Sequence, residues 1–451
     1  MTTRKKITLS SVAVVLIGLS VLTYVRWGAW FGNPPEDPYA PLPTPGRVLL
    51  TFGNSGELSR NISWQCDSVL LPAHVELTEK QGFDTLRIAA KGEIFASRSG
   101  KAAYYVARLD NLIDGTDYRY RVVTDGRASQ WYDFSTTRQS NKNFSFLFFG
   151  DVQDSIGGQT HRLFSEAVGR HAAAEFVVLG GDLIERPTDA YWSEAFRGID
   201  SVAQSLPILA VTGNHEYLKY PIRKLERRFS LVFSYFLDAM VGENQVYTLT
   251  YRDAQFYLLD SNRELPFLIT QQQWLKQELA RSTARWNIVV LHHPIHSVKS
   301  SSNNLMQRLV FGDLIRDNVD LVLQGHEHAY ARKTAHDGRR PVPPIYTVSH
   351  CSPKHYRFEF NPRFDRYGCG SQYYQRIDIS GDTLRMNTYD ANTHALYDGI
   401  DIVKGEHDIP HLIDRAVRMP EKLNFTPRPG NKKDAKFMER LREYKSQKGI
   451  R

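Results

Sequence analysis

Five short apolar segments of this 451-residue chain each end abruptly in polar residues. They cover residues 144–149, 176–179, 208–211, 288–291 and 321–323. Apolar runs of this length are typical of buried strands, and the helical stretches between them indicate a βαβ organisation. In such a fold, parallel strands deliver the residues at their carboxyl ends to one edge of the sheet. The chemically distinctive residues that follow the five runs are Asp151, Asp182, Asn214, His215, His292, His326 and His328.

These polar residues are of the types that bind borderline metal ions. Taken singly, each has an ordinary explanation, because an Asp after a strand is often a helix N-cap and a strand-end His is often only hydrogen-bonded. Carboxylate, amide and imidazole groups brought together instead suit an ion such as Fe, Zn or Mn. Two such sets that share a carboxylate suit a two-metal site that binds a phosphate ester between the ions. The sequence therefore predicts a metal centre at this edge.

The N-terminal segment predicts a membrane-spanning or secretory element. Residues 7–25 carry no charge over 19 positions, and Arg4, Lys5 and Lys6 precede them. As a helix, the run measures about 28 Å, close to the hydrocarbon thickness of a bilayer. The basic residues favour a cytoplasmic N-terminus with the remainder exported. Residues 1–30 are predicted to anchor the protein in a membrane, facing outward; cleavage as a signal peptide would instead give a secreted or periplasmic protein.

The net charge of +8 does not indicate a nucleic-acid partner. Residues 1–30 contribute +4 and residues 428–451 contribute +6, which leaves −2 for the body that holds the polar clusters. A basic surface on the body would be needed to bind nucleic acid, so none is predicted as a partner. The sequence gives no sign of a protein partner either.

Two regions of different composition separate the apolar segment from the polar clusters. Residues 31–45 are rich in proline, which predicts an extended linker that holds the body away from the membrane. Residues 46–138 contain short runs in which apolar and polar residues alternate, with Ile62, Trp64 and Cys66 on one face. This region is predicted to form a small β-sandwich without chemistry of its own.

The α/β domain is predicted over residues 143–404, and a basic extension over residues 405–451. Within the domain, Thr270-Gln-Gln-Gln273 matches a capping box and predicts a helix that starts there. Within the extension, apolar residues at helical spacing predict an amphipathic helix over residues 431–447, which either docks as a tail or binds a partner. The apolar residues of that helix are Phe437, Leu441 and Tyr444.

The three cysteines do not form a disulfide framework, because their number is odd and low. Cys66 lies on the apolar face of a predicted strand and is expected to be a buried thiol. Cys351 and Cys369 lie in one loop-rich region, and we expect them to pair if the body is exported.

The order and spacing of the polar blocks resemble the calcineurin-like metallophosphoesterases. The matching blocks read G-D, G-D-x-x-x, G-N-H-E, H-x-P and G-H-x-H. A preceding L-x-x-G-T-x-Y at residues 112–118 and a final G-H-E-H-A-Y-A-R are more narrowly similar to the purple acid phosphatases. The resemblance spans roughly residues 46–404. It implies a fibronectin type III-like antiparallel β-sandwich followed by a four-layer α/β/β/α domain with a binuclear metal centre.

The resemblance also implies a role for each residue of the blocks. One ion would be held by Asp151, Asp182 and His328. The other would be held by Asp182, Asn214, His292 and His326, so the Asp182 carboxylate would bridge the two ions. His215 would face the substrate as the catalytic residue. The implied metal ligands are Asp151, Asp182, Asn214, His292, His326 and His328. Residues expected to support these ligands or the fold are Glu216, Asp260 and Arg332.

Two positions depart from the family pattern. Purple acid phosphatases have a metal-binding Tyr three residues after the second Asp, where this chain has Glu185. Two residues after the first Asp they have Gly, and related phosphoesterases have His, where this chain has Gln153. Glu185 either binds the first ion directly or pairs with a nearby cation and leaves that site weaker. Gln153 would bind weakly or hold a metal-bound water. His296 is a further candidate on the substrate side, or an ordinary loop His.

The resemblance therefore implies an exported, metal-dependent phosphohydrolase that acts on small phosphate monoesters. Hydrolysis of phosphodiesters or nucleotides on the same fold is the second hypothesis. A third, from another class, is a non-catalytic surface scaffold whose metal site is structural. His215 favours an enzyme, because a structural site does not need an uncoordinated His at its mouth.

Overall fold

The computed structural model describes residues 3–450 except residues 55, 139, 201, 236–240, 243–244, 301, 339 and 406–408. The helices in these residues are α1 (Thr3–Phe31), α2 (Thr160–Arg170), α3 (Asp189–Ile199), α4 (Arg227–Val232), α5 (Leu265–Arg281), α6 (Leu305–Asn318) and α7 (Lys432–Lys448). A short 3₁₀ turn covers Asn214–Glu216.

The first domain is the predicted β-sandwich, and both of its sheets are antiparallel. One sheet has the order β1-β2-β6-β5 and the other β4-β3-β7-β8, with β9 also paired to β7. Ile62, Trp64 and Cys66 are buried between the sheets, as their alternation predicts. The strands are β1 (Gly46–Gly53), β2 (Gly56–Gln65), β3 (Ala73–Glu79), β4 (Leu86–Ala89), β5 (Lys91–Ala96), β6 (Lys101–Leu109), β7 (Asp117–Thr124), β8 (Arg127–Ala128) and β9 (Tyr132–Ser135).

The second domain is built on two seven-stranded sheets. The first consists, in spatial order, of β12 (Ile208–Ala210), β11 (Phe176–Leu179), β10 (Phe144–Phe149), β22 (Tyr373–Ser380), β23 (Thr383–Asp390), β24 (Leu396–Lys404) and β25 (Pro410–Asp414). The second consists of β15 (Tyr247–Tyr251), β16 (Ala254–Leu259), β17 (Trp286–Leu291), β18 (Leu321–Gln324), β20 (Arg340–Val348), β19 (Tyr330–Asp337) and β21 (Arg366–Gly368). A separate hairpin pairs β13 (Tyr217–Leu218) with β14 (Lys224–Leu225).

The two sheets pack face to face, with helices on their outer surfaces. The Phe146 ring of β10 meets the Phe256 ring of β16 edge-on at 5.3 Å between centroids, inside one core cluster shared by both sheets. On the outside, Phe164 of α2 packs on Phe149 of the first sheet at 4.4 Å. Helices α5 and α6 cover the second sheet, where Phe311 lies among its buried residues. The predicted four-layer α/β/β/α domain is confirmed.

Helix α1 has the length and composition of a membrane span. Val12–Phe31 has a mean hydropathy of 1.8, and none of this segment is buried against the rest of the chain. An anchor and a signal sequence share these properties, so both hypotheses remain.

The proline-rich segment lies against the body, so the prediction that it acts as a spacer is wrong. The Glu36 side chain is 2% exposed and forms ion pairs with Arg228 at 2.8 Å and Arg98 at 3.1 Å. It also accepts a hydrogen bond from the backbone N–H of Asp189. A charge that is buried must be paired, so Glu36 helps to tie this extended segment to the domain.

The predicted disulfide is also wrong, because Cys66, Cys351 and Cys369 are all buried free thiols. Cys351 lies in the core between the sheets, where its Sγ donates to the carbonyl of Tyr373. Cys369 belongs to a different cluster beneath α7, where burial raises its thiol pKa to about 12. The two residues share a loop-rich region of the sequence but lie in different apolar clusters.

The helix predicted in the C-terminal extension is confirmed and docks on the body. Phe437, Leu441 and Tyr444 of α7 are buried, and the Phe437 ring packs against Phe358 at 5.3 Å. The predicted start of α5 at Thr270 is wrong, because the helix begins five residues earlier at Leu265.

Candidate metal centre

The carboxyl ends of five parallel strands deliver the six predicted ligands to one place. In the first sheet, β10, β11 and β12 are followed by Asp151, Asp182 and Asn214. In the second sheet, β17 and β18 are followed by His292 and by His326 with His328. The cluster therefore lies where the edges of the two packed sheets meet, and most of its side chains are fully buried.

Tight turns at the strand ends aim these side chains inward. Four of the residues adopt left-handed backbone angles, which are uncommon outside glycine and often mark functional sites. Their φ values are 40° for Asp151, 51° for Asp182, 71° for His326 and 41° for His328. A Cβ atom on Gly213 would collide with the Asp182 carboxylate, and one on Gly325 with the Asp151 carboxylate. Glycine is required at both positions because the strand ends approach so closely.

Four ligand atoms converge at the spacing that a metal ion requires. The Nε2 atom of His292 lies 3.2 Å from Asp182 Oδ2, 3.3 Å from Asn214 Oδ1 and 3.3 Å from His326 Nδ1. The distance from His326 Nδ1 to Asn214 Oδ1 is 2.9 Å. Atoms bound tetrahedrally at about 2.0–2.1 Å from one ion lie about 3.3–3.4 Å apart. These residues fit a bound ion, and they are the set implied for the second metal.

The histidine tautomers are fixed from outside the cluster. His292 donates its Nδ1–H to the carbonyl of Gly180 at 2.9 Å, and His328 donates its Nδ1–H to the carbonyl of Lys354 at 3.1 Å. Each bond leaves the Nε2 lone pair directed at the cluster, which is how ligating histidines are commonly oriented.

The residues of the first metal site are arranged more loosely. His328 Nε2 lies 3.4 Å from Asp151 Oδ1 and 3.0 Å from Gln153 Nε2. Asp151 Oδ1 and Gln153 Oε1 are buried acceptors for which the described part of the chain offers no hydrogen-bond donor. An unsatisfied buried acceptor costs about 1–3 kcal/mol, and a cation between these oxygens would remove that cost.

Electrostatics show that the cluster attracts positive charge. Burial opposes ionisation of Asp182, but His292 and His215 overcome it and hold the carboxyl pKa below its usual range. Burial likewise opposes charge on His292, yet Asp182 raises its pKa to about 9. For His326, burial and the neighbouring imidazoles lower the pKa. The Asp182 carboxylate therefore favours positive charge at the His292 side chain.

Glu216 joins the second and third blocks through backbone amides. Its Oε2 accepts from Gly213 N at 2.6 Å and Asp182 N at 3.0 Å, and its Oε1 from Leu183 N at 2.8 Å and Ile184 N at 3.3 Å. Burial and the Asp182 carboxylate raise the pKa of Glu216 to about 7. All four partners are donors, so the geometry is made for the carboxylate form.

His215 is at the mouth of the cluster and is half-buried. Its Nδ1 lies 2.5 Å from the carbonyl of Glu185, and its Nε2 lies 3.9 Å from Asp182 Oδ2. The Glu185 side chain forms an ion pair with Lys354, which corresponds to the second of the two alternatives for this position.

Three other predicted residues lie away from the ligands. His296 packs edge-on against Tyr346 and lines a separate cavity with Arg308 and Lys333, so the structure does not bring it to the substrate side. Asp260 accepts a short hydrogen bond from the Tyr217 hydroxyl beneath the cluster. A buried structural ion pair joins Arg332 to Asp398 at 2.8 Å.

Sequence reasoning missed two side chains beside the first metal site. The Tyr356 ring stacks on His328 with centroids 4.2 Å apart, and Lys299 Nζ lies 4.4 Å above the same ring. Burial, Asp151 and Asp182 raise the pKa of Tyr356 to about 12. Tyr356 lies in a long loop without strand periodicity or a motif, so no local signal identified it.

An open cavity of about 870 Å³ leads to the cluster. Asn214 and His215 form its floor. The charged residues on its walls are Glu185, Arg186, Lys219 and Arg223. The remaining wall is formed by the end of α1 and the residues that follow it, Gly28, Ala29, Gly32, Asn33 and Pro34.

Comparison with known proteins agrees with both domains. Residues 144–330 match the calcineurin-like phosphoesterase family, and residues 45–136 match the purple acid phosphatase N-terminal domain. The uncharacterized protein Rv2577 of Mycobacterium tuberculosis is 26% identical over 351 residues, which cover 67% of this chain and 65% of the relative. Purple acid phosphatase 22 of Arabidopsis thaliana is 26% identical over 254 residues, which cover 53% of this chain and 55% of that protein. The chain thus matches less than two thirds of the length of these relatives.

Solved structures share the fold. Purple acid phosphatase PPD1 from yellow lupin (Lupinus luteus) seeds superposes with a TM-score of 0.67 at 15% identity, covering 85% of this chain and 77% of that one. PhoD superposes with a TM-score of 0.60 at 14% identity, covering 92% and 100%. Residues 144–330 thus form a calcineurin-like phosphoesterase domain, and residues 45–136 form an N-terminal domain of the purple acid phosphatase type.

Proposed function

We propose that this chain is a metal-dependent phosphohydrolase that cleaves phosphate monoesters at the cluster. The observation that carries the proposal is the convergence of four ligand atoms at metal-binding distances, beside a half-exposed His215. Asp182, Asn214, His292 and His326 would hold one ion, and Asp151, Asp182 and His328 the other. Bound Fe, Zn or Mn ions would polarise the phosphate and lower the pKa of the attacking water.

In this proposal, His215 supplies the proton that the leaving group needs. The carbonyl of Glu185 holds the Nδ1–H, so Nε2 faces the cavity and can carry a second proton. As the ester P–O bond breaks, the imidazolium would donate the Nε2 proton to the leaving oxygen. A structural metal site would have no use for a His in this position, which disfavours a non-catalytic scaffold.

The charge of the cavity favours monoesters over diesters. Arg186, Lys219 and Arg223 lie on its walls, and cations attract a monoester dianion more strongly than a diester monoanion. Diester hydrolysis is the second candidate. The basic residues Arg4, Lys5 and Lys6, which precede the apolar run, support a location of this domain outside the cytoplasm.

The test uses the full chain, stripped of metal and reloaded separately with Zn, Mn or Fe. We expect p-nitrophenyl phosphate to turn over only when about two ions are bound, and faster than bis(p-nitrophenyl) phosphate. Faster turnover of the diester would replace the monoester proposal. Full metal occupancy without turnover of either ester would support the scaffold.

A further inference from the structure

The end of α1 is held firmly beside the catalytic cavity. Asn33, two residues after the helix, donates its Nδ2–H to the carbonyl of Lys219 and accepts from Lys219 N through Oδ1, both at 2.8 Å. Three residues later, Glu36 forms its buried ion pair with Arg228. The helix therefore does not leave the body through a free tether. Its exit point is fixed relative to His215, and the helix end forms part of the same cavity wall.

A bilayer is the environment that suits α1 itself. The 20-residue segment Val12–Phe31, in which Arg26 is the one charged residue, is about 30 Å long and matches a hydrocarbon core, and no protein surface covers it in the described chain. Trp27 and Trp30, both exposed, lie in the last two turns of the helix. Tryptophans at this depth are typical of the boundary between membrane and water. That boundary would then coincide with the wall of the cavity.

The hairpin loop between β13 and β14 gives an independent observation on the same side. Tyr220 and Ile222 are 47% and 68% exposed at its tip, although both are large and apolar. Lys219 and Arg223 flank them, and both line the cavity. Exposed apolar residues interleaved with cations are typical of segments that rest in the headgroup layer of a membrane. The loop is joined to the helix exit by the Asn33 hydrogen bonds.

We propose that the catalytic cavity opens onto the membrane surface and takes the phosphate ester of a bilayer-embedded amphiphile. This proposal rests on the hydrolase function proposed above. Water would add to phosphorus and the ester P–O bond would break. The alcohol would take the proton and remain in the bilayer, and inorganic phosphate would leave to the solvent. The position of the cavity at the membrane boundary favours such a substrate, because its phosphate can enter the cavity while its apolar chain stays in the bilayer.

The first test compares two esters with the full chain in phosphatidylcholine vesicles. The bilayer-borne ester is a long-chain 1-acylglycerol 3-phosphate, and the soluble ester is glycerol 3-phosphate. The double variant Tyr220→Ser/Ile222→Ser should lower turnover of the bilayer-borne ester by about tenfold or more, because the loop loses the two apolar side chains that would hold the cavity at headgroup depth. Glycerol 3-phosphate turnover should stay within about twofold, since neither side chain lines the cavity. The matched control, Ile413→Ser, removes an exposed apolar residue of β25, at the opposite edge of the first sheet from β12.

A second measurement does not depend on turnover. In Ile222→Cys, an environment-sensitive fluorophore attached to the new thiol should be shielded from aqueous iodide, while the same label in Ile413→Cys should be quenched. The three native thiols are buried and do not compete for the label. A label at position 222 that is quenched as fully as the control, in an enzyme active on both esters, would overturn the membrane-facing site alone. A shielded label without turnover of either ester would refute the hydrolase function and the substrate class together.

Discussion

Glu216 offers the sharpest test of how the fold holds the metal centre. Its two carboxylate oxygens accept four backbone N–H bonds, from Gly213 and Asp182 on Oε2 and from Leu183 and Ile184 on Oε1. The substitution Glu216→Gln keeps the size of the side chain but turns one acceptor oxygen into an NH₂ donor. That group can satisfy neither of the two amides it faces.

The number of amides left without an acceptor determines the expected loss of stability. Two buried N–H groups would be left without an acceptor, at about 1–3 kcal/mol each, so the free energy of unfolding should fall by about 2–6 kcal/mol. Because the four amides belong to Asp182, to the two residues after it and to Gly213, which precedes Asn214, metal content and turnover should fall whichever oxygen is replaced. Urea unfolding followed by tryptophan fluorescence gives the first quantity, and elemental analysis of the purified protein gives the second.

Asp320→Asn is the matched control. Asp320 is also buried, accepts the backbone N–H of Asn287 at 2.8 Å and pairs with Lys404, but it precedes β18, whereas the ligands follow that strand. We expect this variant to lose stability and keep its metal. If Glu216→Gln matched the wild-type chain in both stability and metal content, the proposed role of the amide network would be wrong.

Four further outcomes are expected. Asp182→Asn should lower bound metal and turnover together, and normal elemental analysis with normal turnover would refute the bridging role. His215→Ala should keep both ions yet lose about 10²–10⁴-fold on alkyl phosphates and far less on p-nitrophenyl phosphate, whose leaving group hardly needs a proton; equal losses on both esters would contradict the acid role. Since the pKa of His292 is about 9, an ion that binds at pH 7 should displace a proton from it, and the affinity should rise as the pH rises toward 9. Calorimetry in buffers of different ionisation enthalpy can measure the number of protons released. With Glu185 in place of the family Tyr, the iron-loaded protein should lack a visible tyrosinate absorption band. A coloured preparation whose colour is lost in Tyr356→Phe would contradict this and show that Tyr356 binds the ion.

The sequence predicted that these polar side chains come together, because the signal for their convergence is local and repeated. Each apolar run ends in a tight turn, and parallel strands bring such turns to one edge. Residues as distant in sequence as Asp151 and His328 could therefore be predicted to lie close together, and the structure places them in contact. The backbone angles could not be predicted residue by residue, although the adjacent glycines Gly181, Gly213 and Gly325 hint at the crowding there.

Predictions failed where a single long-range contact outweighed local composition. The proline-rich segment is extended, but one buried carboxylate, Glu36, ties it to Arg228, 192 residues away. The helix predicted to start at Thr270 starts at Leu265, because Pro266 suits the first turn of a helix and the capping-box pattern lies inside it. The partner of Glu185 is Lys354, in a loop with no periodicity. Such pairings depend on the packing of distant loops, which no local pattern records.

The pairing of Glu185 with Lys354 makes the two halves of the centre unequal. Around His292, the imidazole Nε2 already lies 3.2–3.3 Å from the other three ligand atoms, so an ion entering there requires little rearrangement. Around His328, Asp151 Oδ1 and Gln153 Oε1 have no donor among the residues that the structure describes, and the carboxylate that replaces the family Tyr is neutralised by a lysine. An ion in that half must either compete with the Lys354 ammonium for Glu185 or accept fewer protein ligands. Both routes would weaken its binding, so in the proposed two-ion centre the ion held by Asp151 and His328 should be the more readily exchanged of the two.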